Sequence, residues 1–192
     1  EEFVVWILGT GSDRSRLLHA HADAAHKKMD RLRESQTGMK RTMLFWSQLD
    51  SEKGRESLAK LCKDPPRGAL SVCCAVHALL RVSGKRIHWK AAEQMMADPD
   101  VFLAEMKAYN PYAIPAYVHQ SFEHTLTLPY FDYDRMVDRS YALACLGSWV
   151  IAAVQSWKEA KQMVPLEAAA RRADAAVAAA AASFAEAKKL PE

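Results

Sequence analysis

Apolar residues recur along the first quarter of the chain with a heptad rhythm. Leu18, Ala22, Ala25, Met29, Leu32, Gln36, Met39, Met43 and Trp46 are separated by alternating steps of 4 and 3. Only Gln36 among them is polar. A 3,4 alternation held over several heptads is the pattern of a coiled-coil seam. It predicts one long helix over 17–63, with Gly38 as a weak point and Gly54 as a break before a last helical stretch, Ser57 to Lys63.

A second long helix is expected over 148–192. Met163, Leu166, Ala170, Ala173, Val177, Ala180, Phe184 and Ala187 keep the alternation. A poorer seam runs beside it through Val150, Val154, Trp157, Lys161, Val164, Ala168, Arg171, Ala175 and Ala178. Pro165 is expected to interrupt and kink the helix, because it removes one backbone hydrogen bond.

Between the arms, residues 64–147 are rich in helix stops. Pro65 and Pro66 end the first arm, since Pro66 drives Pro65 into an extended conformation. Asp98-Pro99, Asn110-Pro111, Ile114-Pro115 and Leu128-Pro129 divide the rest. The pieces read as short helices near 67–82, 88–97, 100–108, 115–127 and 133–138, with Asp100 and Asp132 as caps. Leu18 to Cys62 and Leu146 to Leu190 each span 44 positions. Arms of equal length suit an antiparallel hairpin. The expected fold is all-α: a coiled-coil hairpin capped by a small bundle of about five or six short helices. Residues 1–16 receive no assignment.

Composition agrees with helix. Gly is scarce, at 7 of 192 residues, and Ala runs in tracts over 168–187. The chain begins at Glu1 and reads as a piece of something longer. A formal charge of +3 is too small to argue for nucleic acid. The apolar run Phe3–Leu8 is far short of the roughly 20 residues that span a bilayer, so no membrane is expected. Cys62, Cys73, Cys74 and Cys145 lack C-x-x-C spacing and read as reduced thiols. His19 and His26 share a helix face without further ligands, so no metal is expected. No nucleophile–base arrangement is visible, and no catalytic residue is assigned.

Residues 58–165 resemble the stalk tip of dynein heavy chains. The resemblance begins at Leu58-Ala-Lys-Leu-Cys-Lys-Asp-Pro-Pro66, followed by Val72, Ala75-Val76 and Leu79-Leu80. It continues through Trp89, Ala91-Ala92, Met95, Asp98-Pro99, Phe102-Leu103 and Tyr109. Ile114-Pro115, Val118, Pro129, Phe131 and Val137 come next. Ser140, Ala142, Leu146, Trp149-Val150 and Val164-Pro165 close it.

The resemblance implies a microtubule-binding tip, with α/β-tubulin and the rest of a dynein heavy chain as partners. Affinity for the track would be coupled to a remote AAA+ ring through the register of the stalk helices. ATP and Mg would belong to that ring. No cofactor is expected in this segment, which lacks a G-x-x-x-x-G-K-[ST] loop. The implied location is the cytoplasm and cytoskeleton, with a lean toward the axoneme of a cilium or flagellum. The competing reading is a coiled-coil scaffold or adaptor with a protein-binding head.

Microtubules are acidic, so candidate contacts are basic. They are Lys63 and Arg67 beside the double proline, the run Arg81, Lys85, Arg86 and Lys90, and Arg135 and Arg139 before the last helix. Over 64–147 eight basic residues stand against nine acidic, a net of −1, so attraction must be local. Leu70, Tyr141, Ile151 and Leu166 occupy places where the family often carries a basic residue, which predicts a weak or atypical contact.

Overall fold

The computed structural model describes residues 2–83 and 85–187, and of 2–12, 14 and 187 only the backbone. The end of the second arm, 188–192, lies outside the described residues. Helices account for nearly all regular structure, and no strand occurs among the described residues. They fall into two compact units, Glu1–Ser35 with Lys161–Glu192, and Gln36–Ala160.

The first unit contains α1 (Glu2–Ser35) and the C-terminal part of α9 (Tyr141–Ala187). Its two helices run antiparallel. His26 Nε2 lies 3.1 Å from Asp174 Oδ1, and Arg33 Nη2 lies 3.8 Å from Glu167 Oε1, so partners descend in α9 as α1 ascends. Ala22, Met29, Met163 and Ala170 are buried; Leu18, Leu32, Leu166 and Val177 are half-buried. The Met163 seam is therefore the inward one. From Lys161 on the alternative seam faces solvent, with Val164 half-exposed and the Arg171 side chain 79% exposed, whereas its first members, Val150 and Val154, are buried in the head. Phe184, expected in the seam, is 49% exposed.

Pro165 does not end the helix. α9 continues through it, and its ring sits on an exposed face. One missing backbone donor is tolerated in so long a helix when the proline ring meets no packed neighbour.

The second unit is the head. Here the expected single helix over 17–63 is corrected. The chain leaves helix at Gln36 and Thr37, restarts as α2 (Gly38–Asp50), and breaks again at Ser51 before α3 (Glu52–Lys63). Ser51 caps α3, its Oγ accepting from Gly54 N at 3.1 Å. Gly54 thus lies inside α3 rather than at the break. A Cβ there would collide with the Gln48 and Leu49 backbone, so glycine lets α2 and α3 fold back on each other.

The prolines divide the rest largely as expected. α4 (Ala69–Leu80), α5 (Trp89–Met96), α6 (Pro99–Lys107), α7 (Ala116–Gln120) and α8 (Tyr133–Met136) alternate with 3-10 turns at Pro111–Ala113, Glu123–Thr125 and Pro129–Phe131. The cap of α6 is Asp98, not Asp100. Asp98 Oδ1 accepts from Asp100 N and Val101 N, and Pro99 fills the first helical position, where no donor is missed. Asp132 caps α8 through Arg135 N at 3.2 Å.

The head closes around the N-terminal stretch of α9, which is buried continuously from Ala142 to Val150. Trp149 is fully buried, with the Tyr109 ring edge-on at 5.4 Å. α4 supplies Val72, Cys73, Val76 and Leu79, and α3 supplies Leu58 and Leu61. Cys73 is core, and burial pushes its thiol well above the ordinary cysteine range. Cys145 is pushed up to about 11 by burial, so both thiols stay protonated packing groups.

Candidate functional site

The two ends of the head differ in chemistry. At one end α9 begins. Ser57 Oγ accepts from Ala142 N at 2.9 Å, tying the middle of α3 to the first turn of α9. Ser140 Oγ accepts from Leu143 N at 3.3 Å and caps that turn. Lys53 Nζ lies 4.4 Å from the centroid of the Tyr141 ring. The Gly68 turn that opens α4 sits at the same end. Its φ of +94° and the Tyr130 ring packed on it exclude any side chain.

A cleft of about 420 Å³ opens there between the end of α3 and the segment before α9. Lys60, Lys63 and Arg139 line it, with Asp64 and Asp138. Lys60 and Lys63 stand three apart and share a face of α3. Both lysines, Arg139 and Arg67 in the turn before α4 are exposed, and none has an ion-pair partner among the described residues. Unpaired cations beside one another keep their field available to an approaching anion.

At the other end the basic residues are differently placed. Arg81 follows the last turn of α4 and its Nη1 donates to Glu105 Oε1 at 2.7 Å, so its charge is largely spent. Lys85 and Arg86 lie in the loop that follows, and Lys90 in the first turn of α5; all three are exposed. This end adjoins the later turns of α9. Tyr109 donates to Ala153 O at 2.9 Å, Trp157 Nε1 to Ile114 O at 2.9 Å, and Tyr117 to Val82 O at 3.5 Å. The 12 residues of α4 hold the two ends about 17 Å apart.

The eight basic residues read from the sequence therefore do not form one face. Lys63, Arg67, Arg135 and Arg139 belong to the end where α9 starts. Arg81, Lys85 and Arg86 belong to the opposite end, and Lys90 stands apart in the first turn of α5. Arg135 is exposed but leans on Asp132, Nε to Oδ2 at 3.5 Å. Lys60 was missed by sequence reading. Its signal was the three-residue spacing from Lys63, hidden because it falls inside the first arm. Among the described residues no cluster of His, Cys, Asp and Glu could hold a metal ion. His26 instead faces Asp174, and His19 Nδ1 lies 2.8 Å from Ser15 O.

An antiparallel helix pair in one unit, and in the other a proline-divided helical head with a basic cleft where α9 begins, define an all-α protein with a helical head. The family described as "Microtubule-binding stalk of dynein motor" matches residues 50–190, and the chain belongs to that family. Such a domain holds a track and is not itself catalytic.

"Dynein axonemal heavy chain 17" of Homo sapiens is 32% identical over 117 residues, covering 59% of this chain and 3% of the relative. Its Mus musculus counterpart matches equally. "Dynein heavy chain-like protein 2" of Plasmodium falciparum is 26% identical over 130 residues, covering 60% of this chain and 2% of the relative. The chain thus spans about 3% or less of the length of these relatives. A solved structure, "Microtubule Binding Domain of DYNEIN-C", is 22% identical with a TM-score of 0.45, covering 79% of this chain and 94% of that one.

Proposed function

We propose that the chain grips the acidic surface of α/β-tubulin through the end of the head where α9 begins, within a dynein heavy chain that works in an axoneme. The observation that carries this is the gathering of Lys60, Lys63 and Arg139 in one cleft with Arg67 beside it, in a family that binds microtubules. The parent chain is then an ATP-driven motor whose AAA+ ring holds ATP and Mg. The axonemal assignment leans on the human and mouse relatives. A cytoplasmic or ciliary location follows from the same reading.

The contact is electrostatic. Pelleting with taxol-stabilised microtubules is expected at low ionic strength. It should fade as salt shortens the screening length from about 10 Å at 0.1 M toward about 3 Å at 1 M. No pelleting at any salt would reject the reading.

Coupling to the ring is proposed to run through the two seams of α9. Beyond Ala160 one is inward and the other lies toward solvent, with Ala168, Ala175 and Ala178 among its members. Small residues penalise misregister weakly, so a second register is accessible. Disulfides that lock each register should give different microtubule affinities; equal affinities would rule the coupling out.

A further inference from the structure

The loop that follows α4 carries cations and no acid. Arg81, Lys85, Arg86 and Lys90 lie close together in sequence, and neither Asp nor Glu occurs in 81–90. Ser83 stands among them, two positions after Arg81 and two before Lys85. Arg81 is paired with Glu105, whereas Lys85, Arg86 and Lys90 have no ion-pair partner among the described residues. Residues 85–88 form no helix, so the cations after the serine lie on a segment that can extend along the groove of another protein.

The turn before that segment is weakly held. Ser83 N donates to Ala78 O at 3.1 Å, a closure that keeps Val82 at φ +48°, where a β-branched residue is strained. Local opening begins in segments of this kind. The hydroxyl also differs from the others in the head. Ser83 Oγ accepts from Lys85 N at 3.2 Å. Ser47, Ser51, Ser121 and Ser156 instead donate to the carbonyl three residues earlier and are tied to helical backbone. Ser57 and Ser140 hold N–H groups where α9 begins. Ser35 is exposed, but it donates to Leu32 O within α1 and has Glu34 beside it.

We propose that Ser83 is a phosphorylation site for a serine kinase with an acidic substrate groove, and that the phosphate takes Arg81 from Glu105. Cations on both sides of the serine give such a kinase its charge complement. Ser83 Oγ attacks the γ-phosphorus of a nucleoside triphosphate, and the bond from that phosphorus to the β-phosphate oxygen breaks. The nucleoside diphosphate leaves, and the hydroxyl proton passes to the kinase's catalytic carboxylate. The product adds roughly −1.5 to −2 charge and three acceptor oxygens two residues from a guanidinium that suits them bidentately. Glu105 holds Arg81 through Oε1 alone, and its Oε2 is buried with no hydrogen-bond partner among the described residues. Without Arg81 that carboxylate loses its one donor, at the wall of a cleft of about 280 Å³ that Arg81, Val82 and Glu105 line. The last turn of α6 is then the part that loosens. The inference stands on the loop after α4 and not on track binding, so either can fail while the other holds.

The test treats the folded full chain with MgATP and the catalytic domain of protein kinase C, a kinase directed by cations on both sides of its serine, and maps phosphate by mass spectrometry. Phosphate is expected chiefly at Ser83, with that label gone in Ser83→Ala. Lys85→Ala with Arg86→Ala should slow labelling by about tenfold, because two charge contacts to the kinase are lost. Amide exchange in the last turn of α6 should rise by about fivefold in the phosphorylated chain. No phosphate at Ser83 in the folded chain, or more at Ser35 than at Ser83, overturns the inference. So does labelling indifferent to the Lys85 and Arg86 substitutions. Phosphorylated Ser83 with exchange in α6 unaltered overturns the capture of Arg81.

Discussion

Val82 and Gly68 sit at opposite ends of α4 and show opposite uses of the left-handed region. Val82 follows the helix with φ +48°, where Ser83 N closes the turn onto Ala78 O at 3.1 Å. A β-branched residue there is strained by roughly 1–2 kcal/mol. Val82→Gly should therefore stabilise the head by about 1 kcal/mol in urea unfolding, less a part returned to unfolded-chain entropy. Gly68→Ala should do the reverse by about 2 kcal/mol or more, because its Cβ enters the Tyr130 ring in a conformation alanine resists.

His77, on the same helix, adds a pH dependence. Burial holds its imidazole below the ordinary value of 6.5, with Arg81 adding to the effect. Its Nδ1 is buried without a partner among the described residues, so charging the ring would strand a donor. A folded value below the unfolded one leaves the full stability in place above 6.5. That stability is lost as pH falls from there toward the folded value. The melting temperature should drop between about pH 7 and pH 5, and His77→Gln should flatten that slope. An unchanged slope would remove His77 as its source.

The elements were legible in proportion to how local their causes are. Prolines and caps fixed the division of the head, and Asp132 caps α8 as its position suggested. Asp98 was overlooked because Pro99 moved the helix start two residues earlier than Asp100 implied. The seam of the first arm was readable as periodicity, but its phase in α2 was not. Met39 and Met43 are exposed because Glu159 and Gly38 set the restart from another helix. Lys63 and Arg139 were both named from the sequence, while their meeting in one cleft depends on Ser57 binding the start of α9. At this scale the core prediction concerns α9. Trp149→Ala should cost about 4 kcal/mol, since a fully buried indole leaves a large cavity, measured by chemical unfolding.

For the molecule as a whole the division of charge matters most. The head as read from sequence carries almost no net charge, so affinity for an acidic track must come from where the cations stand. Lys63→Glu with Arg139→Glu should weaken microtubule cosedimentation by about tenfold at low salt. Lys85→Glu with Arg86→Glu, at the other end of α4, should change it by less than about twofold. Circular dichroism should show all four exposed substitutions to be folded. Equal losses from both pairs would mean that the whole head, and not one end, meets the track.

The amino-acid sequence by itself determined that this chain is all helix, where prolines divide its head, and that two heptad seams flank it. Those properties arise from neighbours within a few turns: backbone geometry at proline, the low cost of alanine, and side-chain spacing. Tertiary structure alone decided which of two adjacent faces of α2 turns inward and which basic residues share a cleft. Both depend on single contacts between residues far apart in sequence, the Glu159 cap on Gly38 and the Ser57 bond to Ala142, which no periodicity records.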